Sequence, residues 1–308
     1  MIAPTGRDIV LEAHGSRAEI GTIAAVLRSL AIDGLQVTEP TRLGETPAFS
    51  NGTILAPWPN RVRDARWRFD GAEQQLAITE PARSNALHGL LRTADYEIRE
   101  RSDSEVLLGA IIPPQAGWPF FMDTWVRYRL TPEGLAVTHG VINLSGDRAP
   151  YATGAHPFLR VGDAPVEELV LTLHAASWFD VDDRLLPVAE RAVDGTPYDL
   201  REGRRVGELE LDTAFGRVRH RSIGSGRGDV AWLDDPTGRR LALWQDVSWT
   251  YAQVFTTRAF PGRGGSRLAL AVEPMTAPPD ALNSGEGLVW LEPGESWEGS
   301  WGLRLDAA

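Results

Sequence analysis

The chain has 308 residues and a net charge of −11, from 31 lysine and arginine residues against 42 aspartate and glutamate residues. This acidic balance argues against nucleic acid and anionic membrane surfaces as partners. Because the chain contains no cysteine, disulfide bonds and thiolate metal sites are excluded. The length suits one large all-β domain or two smaller domains, and we expect a single domain over residues 1–308.

The N-terminal residues and the lengths of the apolar segments indicate where the protein is located. Residues 1–8 contain no basic stretch followed by an apolar run, and no segment approaches about 18 unbroken apolar residues. We therefore expect no signal peptide, no membrane span and a cytoplasmic location. A monomer or a homodimer is expected.

Turn residues are spread along the whole chain, with 31 glycines and 21 prolines separating short apolar-alternating runs. This spacing is typical of a sandwich or barrel rather than of alternating βαβ units. Residues 18–30 fit either a helical stripe or two strands joined near Gly21, and we predict strands because the rest of the chain is β. Residues 169–174 and 251–256 alternate like half-buried strands.

Two hairpins are predicted in the C-terminal third of the chain. Residues 230–233 and 241–244 flank the sequence Asp-Asp-Pro-Thr-Gly, which has the composition of a turn. Residues 288–291 and 297–301 flank Glu-Pro-Gly-Glu in the same way.

Histidines and carboxylates are the side chains available for chemistry. No histidine forms an i,i+4 pair or a His-x-His pair, so we expect no metal site. There is no Gly-x-Ser-x-Gly motif, so acyl transfer has no visible nucleophile. What remains is acid–base catalysis. The histidines are His14, His88, His139, His156, His174 and His220.

Three local contexts single out candidates. Residues 57–61, Pro-Trp-Pro-Asn-Arg, predict a stiff loop, and Arg61 offers five donors in a fixed fork. His88 and His156 lie beside glycine or proline at the ends of apolar runs, in the kind of loop where catalytic groups concentrate. Glu273 ends an apolar strand, where a charge must be paired, contacted by a ligand or shifted in pKa. The alternatives are a surface arginine, structural histidines and a glutamate that caps a loop.

Taken in this order, these segments resemble the aldose 1-epimerase (galactose mutarotase) family, from about Gly52 to Leu305. The Ala-His-Pro-Phe sequence around His156 is similar to a distinct bacterial branch of that family. The matching stretches are residues 57–61, 87–90, 154–158, 272–283 and 291–295, with weaker matches at 211–215 and 251–256.

The resemblance implies an all-β fold, a large antiparallel β-sandwich, and a mutarotase that interconverts the α and β anomers of a hexose. It implies no cofactor and a small-molecule sugar as partner. His156 is implied to be the general acid that protonates the ring oxygen, and Glu273 the general base that takes the proton of the anomeric hydroxyl. The residues implied to bind substrate are Asn60, Arg61, His88, Asp212 and Gln253.

Three other functions fit the same residues. A hexose-phosphate 1-epimerase of the same fold would need a basic cluster near the pocket, for which Arg63, Arg66 and Arg68 are candidates. A non-catalytic sugar-binding module would need no acid–base pair. A glycoside hydrolase would need two facing carboxylates, for which Glu273 and Asp212 are candidates.

Overall fold

The structure is a computed structural model that describes residues 3–262 and 264–306. These residues form 28 strands, five 3₁₀-helical turns and one short α-helix. The strands are β1 (Asp8–Ala13), β2 (Ser16–Gly21), β3 (Leu27–Ile32), β4 (Leu35–Gln36), β5 (Ile54–Leu55), β6 (Arg61–Val62), β7 (Arg66–Phe69), β8 (Ala72–Gln75), β9 (Ala86–Leu87), β10 (Glu97–Arg101), β11 (Glu105–Ile112), β12 (Met122–Thr131), β13 (Gly134–Asn143), β14 (Ala149–Tyr151), β15 (Gly154–Ala155), β16 (Phe158–Leu159), β17 (Val170–Leu173), β18 (Ala175–Val181), β19 (Pro187–Ala192), β20 (Arg204–Arg205), β21 (Asp212–Val218), β22 (Arg221–Gly224), β23 (Arg227–Asp234), β24 (Arg240–Asp246), β25 (Tyr251–Gly262), β26 (Gly265–Met275), β27 (Val289–Leu291) and β28 (Ser296–Asp306).

Helical structure is confined to short connecting segments. Within the described ranges, no helix has both the length and the apolarity to cross a membrane. The helical segments are the 3₁₀ turns Ala48–Ser50, Arg63–Ala65, Pro81–Arg83, Val166–Glu168 and Val206–Glu208, and the α-helix α1 (Ala281–Ser284).

Two large antiparallel sheets make up most of the molecule. One has ten strands, in the order β10-β11-β12-β13-β28-β24-β23-β17-β20 with β22 on β23. The other has eight, in the order β19-β18-β21-β25-β26-β15-β5 with β16 on β26. A four-stranded sheet, β1-β2-β3-β4, lies at the N-terminal end of the chain. The predicted all-β, antiparallel sandwich is therefore confirmed.

Alternating burial explains how the two sheets share a core. In β12 the residues alternate between buried and partly exposed along the whole strand, which is the period-two pattern of a sheet with one face covered. One apolar cluster includes Val126 and Val137 of the ten-stranded sheet together with Val254 and Val272 of the eight-stranded sheet. This shared burial of apolar area is the main free-energy contribution that keeps the site-bearing sheet in place.

Two local predictions are confirmed. Residues 18–30 form parts of β2 and β3, which pair antiparallel with Ile20 opposite Leu27. The segments around Ala231 and Leu243 pair across β23 and β24, as the turn sequence between them predicts.

The second predicted hairpin, between residues 288–291 and 297–301, is wrong. Strand β27 pairs with β14, whereas β28 pairs with β13 and β24. The intervening turn exists, with the backbone N–H of Glu295 donating to the carbonyl of Glu292 at 2.9 Å. However, the carbonyl groups on both sides of the turn are hydrogen-bonded to Asn143. Its side chain donates to the carbonyl of Leu291, and its backbone N–H donates to the carbonyl of Glu295. The turn thus connects β27, which pairs with β14, to β28, which pairs with β13 and β24.

Candidate active site

Three adjacent strands of the eight-stranded sheet, β21, β25 and β26, present four side chains on one face. Gln253 lies directly opposite Glu273, and Asp212 directly opposite Phe255. Directly paired residues of antiparallel strands point to the same face, and so do residues two apart along a strand. The register therefore brings two carboxyl groups, an amide and an aromatic ring together.

His156 reaches this face from the short connection between β15 and β16. Both strands pair with β26 in the same antiparallel register, which places His156 opposite Glu273. Its Nε2 atom lies 3.3 Å from Oε1 of Glu273, and the two residues are only 5% and 2% exposed. The backbone is fixed on the other side, since the N–H of His156 donates to Thr53 and its carbonyl accepts from Gly52.

Asn60 and His88 form the opposite side of the site on two strained loops. Both have left-handed backbones, with φ of 56° and 62°, which few non-glycine residues adopt outside functional or tightly held positions. Pairing of Arg61 with Leu87 holds the two loops together. The N–H of Asn60 donates to Nδ1 of His88 at 3.3 Å, so a neutral His88 ring carries its proton on Nε2. The rings of His88 and His156 lie 5.5 Å apart.

A chain of hydrogen bonds links the loops to the sheet. The side-chain amide of Asn60 donates to Gln253 at 3.2 Å, and that of Gln253 donates to Asp212 at 2.6 Å. Nη2 of Arg61 lies 3.7 Å from the second oxygen of Asp212. These contacts fix the orientation of each group before any ligand arrives, which reduces the entropy cost of binding.

Glu80 is a residue of this site that the sequence patterns did not single out. It accepts three hydrogen bonds from the Arg61 guanidinium, from Nε at 3.0 and 3.3 Å and from Nη2 at 3.1 Å. Asn85 and Arg83 also donate to it, at 3.2 and 3.1 Å. Burial raises the pKa of Glu80, but the hydrogen bonds and charge of Arg61, together with the hydrogen bond from Asn85 and the charge of Arg83, hold the pKa below its usual value. The position of Arg61 is therefore set by a bidentate ion pair.

Burial alters the protonation of Glu273 and of the two histidines of the site. It raises the pKa of Glu273 well above the usual value, and the charge of Asp212 acts in the same direction against the opposing charge of Arg61. It lowers the pKa of His156 to about 4 and that of His88 well below its usual value. The protein environment of the site therefore favours the uncharged forms of all three groups.

These groups surround a cavity of about 170 Å³. All seven predicted site residues line it, although their roles stay predictions. Nδ1 of His156 and Oε2 of Glu273 are buried without a hydrogen-bond partner among the described residues. Buried polar atoms of this kind are costly to leave unpaired and mark places where a ligand or water binds. The lining residues are Phe49, Ser50, Asn60, Arg61, Leu87, His88, His156, Asp212, Gln253, Phe255 and Glu273.

The basic cluster considered for a sugar phosphate does not form at this cavity. Arg63 is paired with two aspartates, at 3.5 and 3.4 Å, and Arg66 and Arg68 bond within the β7–β8 hairpin. Among the described residues, Arg61 is the only arginine or lysine in the cavity lining, and Glu80 neutralises it. The observed charges therefore do not favour a phosphorylated substrate.

His139 is the clearest histidine with a structural role. It is fully buried in the core, where Nδ1 contacts the hydroxyl of Thr153 at 2.7 Å and Nε2 accepts from Trp301 at 3.0 Å. Burial lowers its pKa to about 3. Its neutral ring bridges two elements of the core and does not reach the cavity.

Comparison with known proteins identifies the family of the chain. The family model described as aldose 1-epimerase matches residues 7–304. The chain belongs to the aldose 1-epimerase family. This family member is 30% identical over 292 residues to the uncharacterized protein YihR of Escherichia coli, a match that covers 94% of this chain and 91% of that protein.

Solved structures of aldose 1-epimerase relatives share its fold. A GalM/aldose epimerase homologue from C. elegans superposes with a TM-score of 0.83 at 19% identity, covering 98% of this chain and 99% of the other. The galactose 1-epimerase of Lactobacillus acidophilus superposes with a TM-score of 0.78 at 18% identity, covering 97% and 94%. At these identities the likeness establishes the fold of this family member and leaves its substrate to be argued from the site.

Proposed function

We propose that this protein is a mutarotase, interconverting the α and β anomers of a free hexose by acid–base ring opening and reclosure. The observation that carries the proposal is the 3.3 Å contact between His156 and Glu273 at a cavity with hydrogen-bonding groups on its other walls. A module that only bound sugar would have no need to bury an acid–base pair with unpaired atoms.

Ring opening requires two proton transfers. Glu273 takes the proton of the anomeric hydroxyl, and the electrons left on that oxygen form a carbonyl. The bond between the anomeric carbon and the ring oxygen breaks, and its electron pair goes to the ring oxygen, which receives a proton from His156. The open aldehyde rotates about the C1–C2 bond, and the reverse transfers close the ring on the other face and restore both groups. Each positioned group typically contributes about 10²- to 10⁴-fold.

The starting protonation state needs an internal proton transfer. Burial favours a protonated Glu273 and a neutral His156, whereas the reaction begins with the glutamate ionised and the histidine protonated. Because Oε1 and Nε2 are 3.3 Å apart, one proton moving from Glu273 to His156 produces the reactive form. The charge of Arg61, which lowers the pKa of Glu273, favours that form.

The remaining polar groups bind and orient the sugar. In this mechanism Arg61 and His88 contact the ring side of the sugar, where an arginine also stabilises charge that develops on the ring oxygen. Asp212 accepts hydrogen bonds from sugar hydroxyls. Gln253 and Asn60 extend this polar surface and hold Asp212 through the chain of hydrogen bonds that their side-chain amides donate.

The decisive experiment follows the optical rotation of freshly dissolved α-D-glucose and α-D-galactose with and without the protein, and with the His156→Ala variant as control. Faster decay toward equilibrium, lost in the variant, is the expected result, and the relative rates rank the two sugars. If neither rate rises above the spontaneous one, mutarotation of these free hexoses is refuted.

A further inference from the structure

Phe49 is a large apolar side chain that lines the cavity and remains 42% exposed. Its ring centroid lies 6.0 Å from that of Phe255, 6.5 Å from Phe158 and 6.3 Å from Phe260, to which it is nearly parallel. This cluster supports the Phe49 ring but leaves a substantial part of it open. When a ligand covers an aromatic surface that is exposed beside a cavity, the burial of apolar area favours binding.

The backbone that presents Phe49 is strained. Phe49 and Ser50 are consecutive non-glycine residues in the left-handed region, with φ of 51° and 59°. Such conformations persist only where neighbouring contacts impose them. Here the N–H of Asn51 donates to Ala48 at 2.9 Å, and Thr53 donates to the carbonyl of Ser50 through both its N–H and its hydroxyl. These hydrogen bonds hold the strained turn that carries the Phe49 ring.

The same segment is tied to the backbone of the proposed acid. The N–H of Gly52 donates to the carbonyl of His156 at 2.8 Å, and the N–H of His156 donates to Thr53 at 3.0 Å. The side-chain oxygen of Asn51 accepts from the N–H of Phe158 at 3.2 Å. Phe49 and His156 are thus held at a fixed separation by a short hydrogen-bonded path, as a substrate platform and a catalytic group must be.

We infer that Phe49 is a substrate-contacting residue: its exposed ring face is an aromatic wall against which the apolar C–H face of a hexopyranose packs. The inference rests on the proposed function and names the surface feature of the substrate that the site selects. The negative face of an aromatic ring attracts the weakly positive C–H groups of the sugar. The hydroxyls then point toward the polar side formed by Asp212 and Gln253. A sugar that carries a bulky or charged group on its C–H face is disfavoured.

The test compares Phe49→Ala, Phe49→Leu and Phe49→Tyr with the wild-type protein. Sugar binding is measured by calorimetry with D-glucose and D-galactose, and KM and kcat by polarimetry. Phe121→Ala is the matched control, because Phe121 is 37% exposed but lines a different depression with Phe69 and Pro119. Thermal denaturation of every variant reports on folding.

We expect Phe49→Ala to weaken sugar binding and raise KM by about three- to tenfold, the range of aromatic contact energies. Phe49→Leu, which keeps bulk without a ring face, should show most of that loss, and Phe49→Tyr should keep wild-type binding. Phe121→Ala should change neither quantity. If a folded Leu or Ala variant binds sugar as tightly as the wild-type protein does, the sugar does not pack against the Phe49 ring and the inference is wrong.

Binding and turnover separate this inference from the proposed function. If the wild-type protein binds hexose without accelerating mutarotation, the enzymatic proposal fails, and the calorimetric comparison still decides the role of Phe49. If it binds neither sugar, both proposals are overturned.

Discussion

Gln253 and Glu273 face each other as a directly paired residue couple on strands β25 and β26. The side-chain amide of Gln253 donates to Asp212 at 2.6 Å, and its oxygen accepts from Asn60 at 3.2 Å. Glu273 is therefore not held by its cross-strand neighbour, and its Oε2 atom has no partner among the described residues. The glutamate is left available for proton transfer.

Glu273→Gln should remove the base while preserving its shape. We expect the rate of anomer exchange to fall by about 10²- to 10⁴-fold, because an amide cannot accept the hydroxyl proton. Sugar binding should change little. Polarimetry and calorimetry measure the two effects, with Glu298→Gln, an exposed glutamate bonded to Trp125, as control. A variant that exchanges anomers at the wild-type rate would show that Glu273 is not the base.

Glu80→Gln should loosen Arg61 without touching the cavity directly. Loss of the bidentate pair lets the guanidinium move, and misplacement of about 1 Å can cost up to about 10²-fold in rate. We expect kcat/KM to fall at least about tenfold, with the larger part in KM. Arg83→Ala, which removes a more exposed partner of the same carboxylate, should have a much smaller effect. Equal kinetics in both variants would contradict this positioning role.

His139 should make folding sensitive to acid. Its pKa of about 3 in the folded protein lies far below the usual value, so the unfolded chain binds a proton first as the pH falls through 6.5. Its contribution to stability is complete above that pH and is lost by about 1.4 kcal/mol per pH unit down to about 3.

Denaturant unfolding of the wild-type protein and of His139→Gln at pH 7, 6, 5 and 4 tests this dependence. The variant should be less stable at pH 7, and its deficit should shrink as the pH falls below 6.5. Val137→Ala, a buried truncation on the same strand, should show a deficit that does not depend on pH. A constant deficit for both variants would exclude a neutral buried His139.

Gly89→Ala tests how closely the His88 loop must approach the loop of residues 57–61. A Cβ atom at Gly89 would lie 2.1 Å from the carbonyl oxygen of Ala56, and φ there is +73°. At Gly71, with φ of +79°, an added Cβ atom would have nothing within 4 Å. Gly71→Ala therefore measures backbone strain alone, about 1–2 kcal/mol. Gly89→Ala should cost clearly more in unfolding free energy, and similar losses would mean that the loops can separate freely.

The seven site residues could be predicted because each lies in a recognisable local segment whose order along the chain resembles a family. Glu80 and Phe49 could not, since their importance depends on contacts across the fold. Glu80 lies in an ordinary polar turn until Arg61 is placed beside it. Phe49 matters because three rings distant in sequence support it and because its backbone is strained.

The pairing partner of strand β27 could not be predicted from the local sequence either. The turn after β27 was predictable from proline and glycine, but the partner of β27 was not, because β27 pairs with β14 and β28 with β13, two strands that lie far away in the sequence. Local turn chemistry specifies where a chain reverses, and tertiary contacts decide which strand it meets.

His156 lies between two short strands that both pair with β26, the strand that carries Glu273. The proposed acid and base are therefore held by one set of strand pairings, so they move together when neighbouring loops fluctuate and their separation changes little. Heating should then leave the pair in register until the sheet itself unfolds, and inactivation should be abrupt and coincide with global melting.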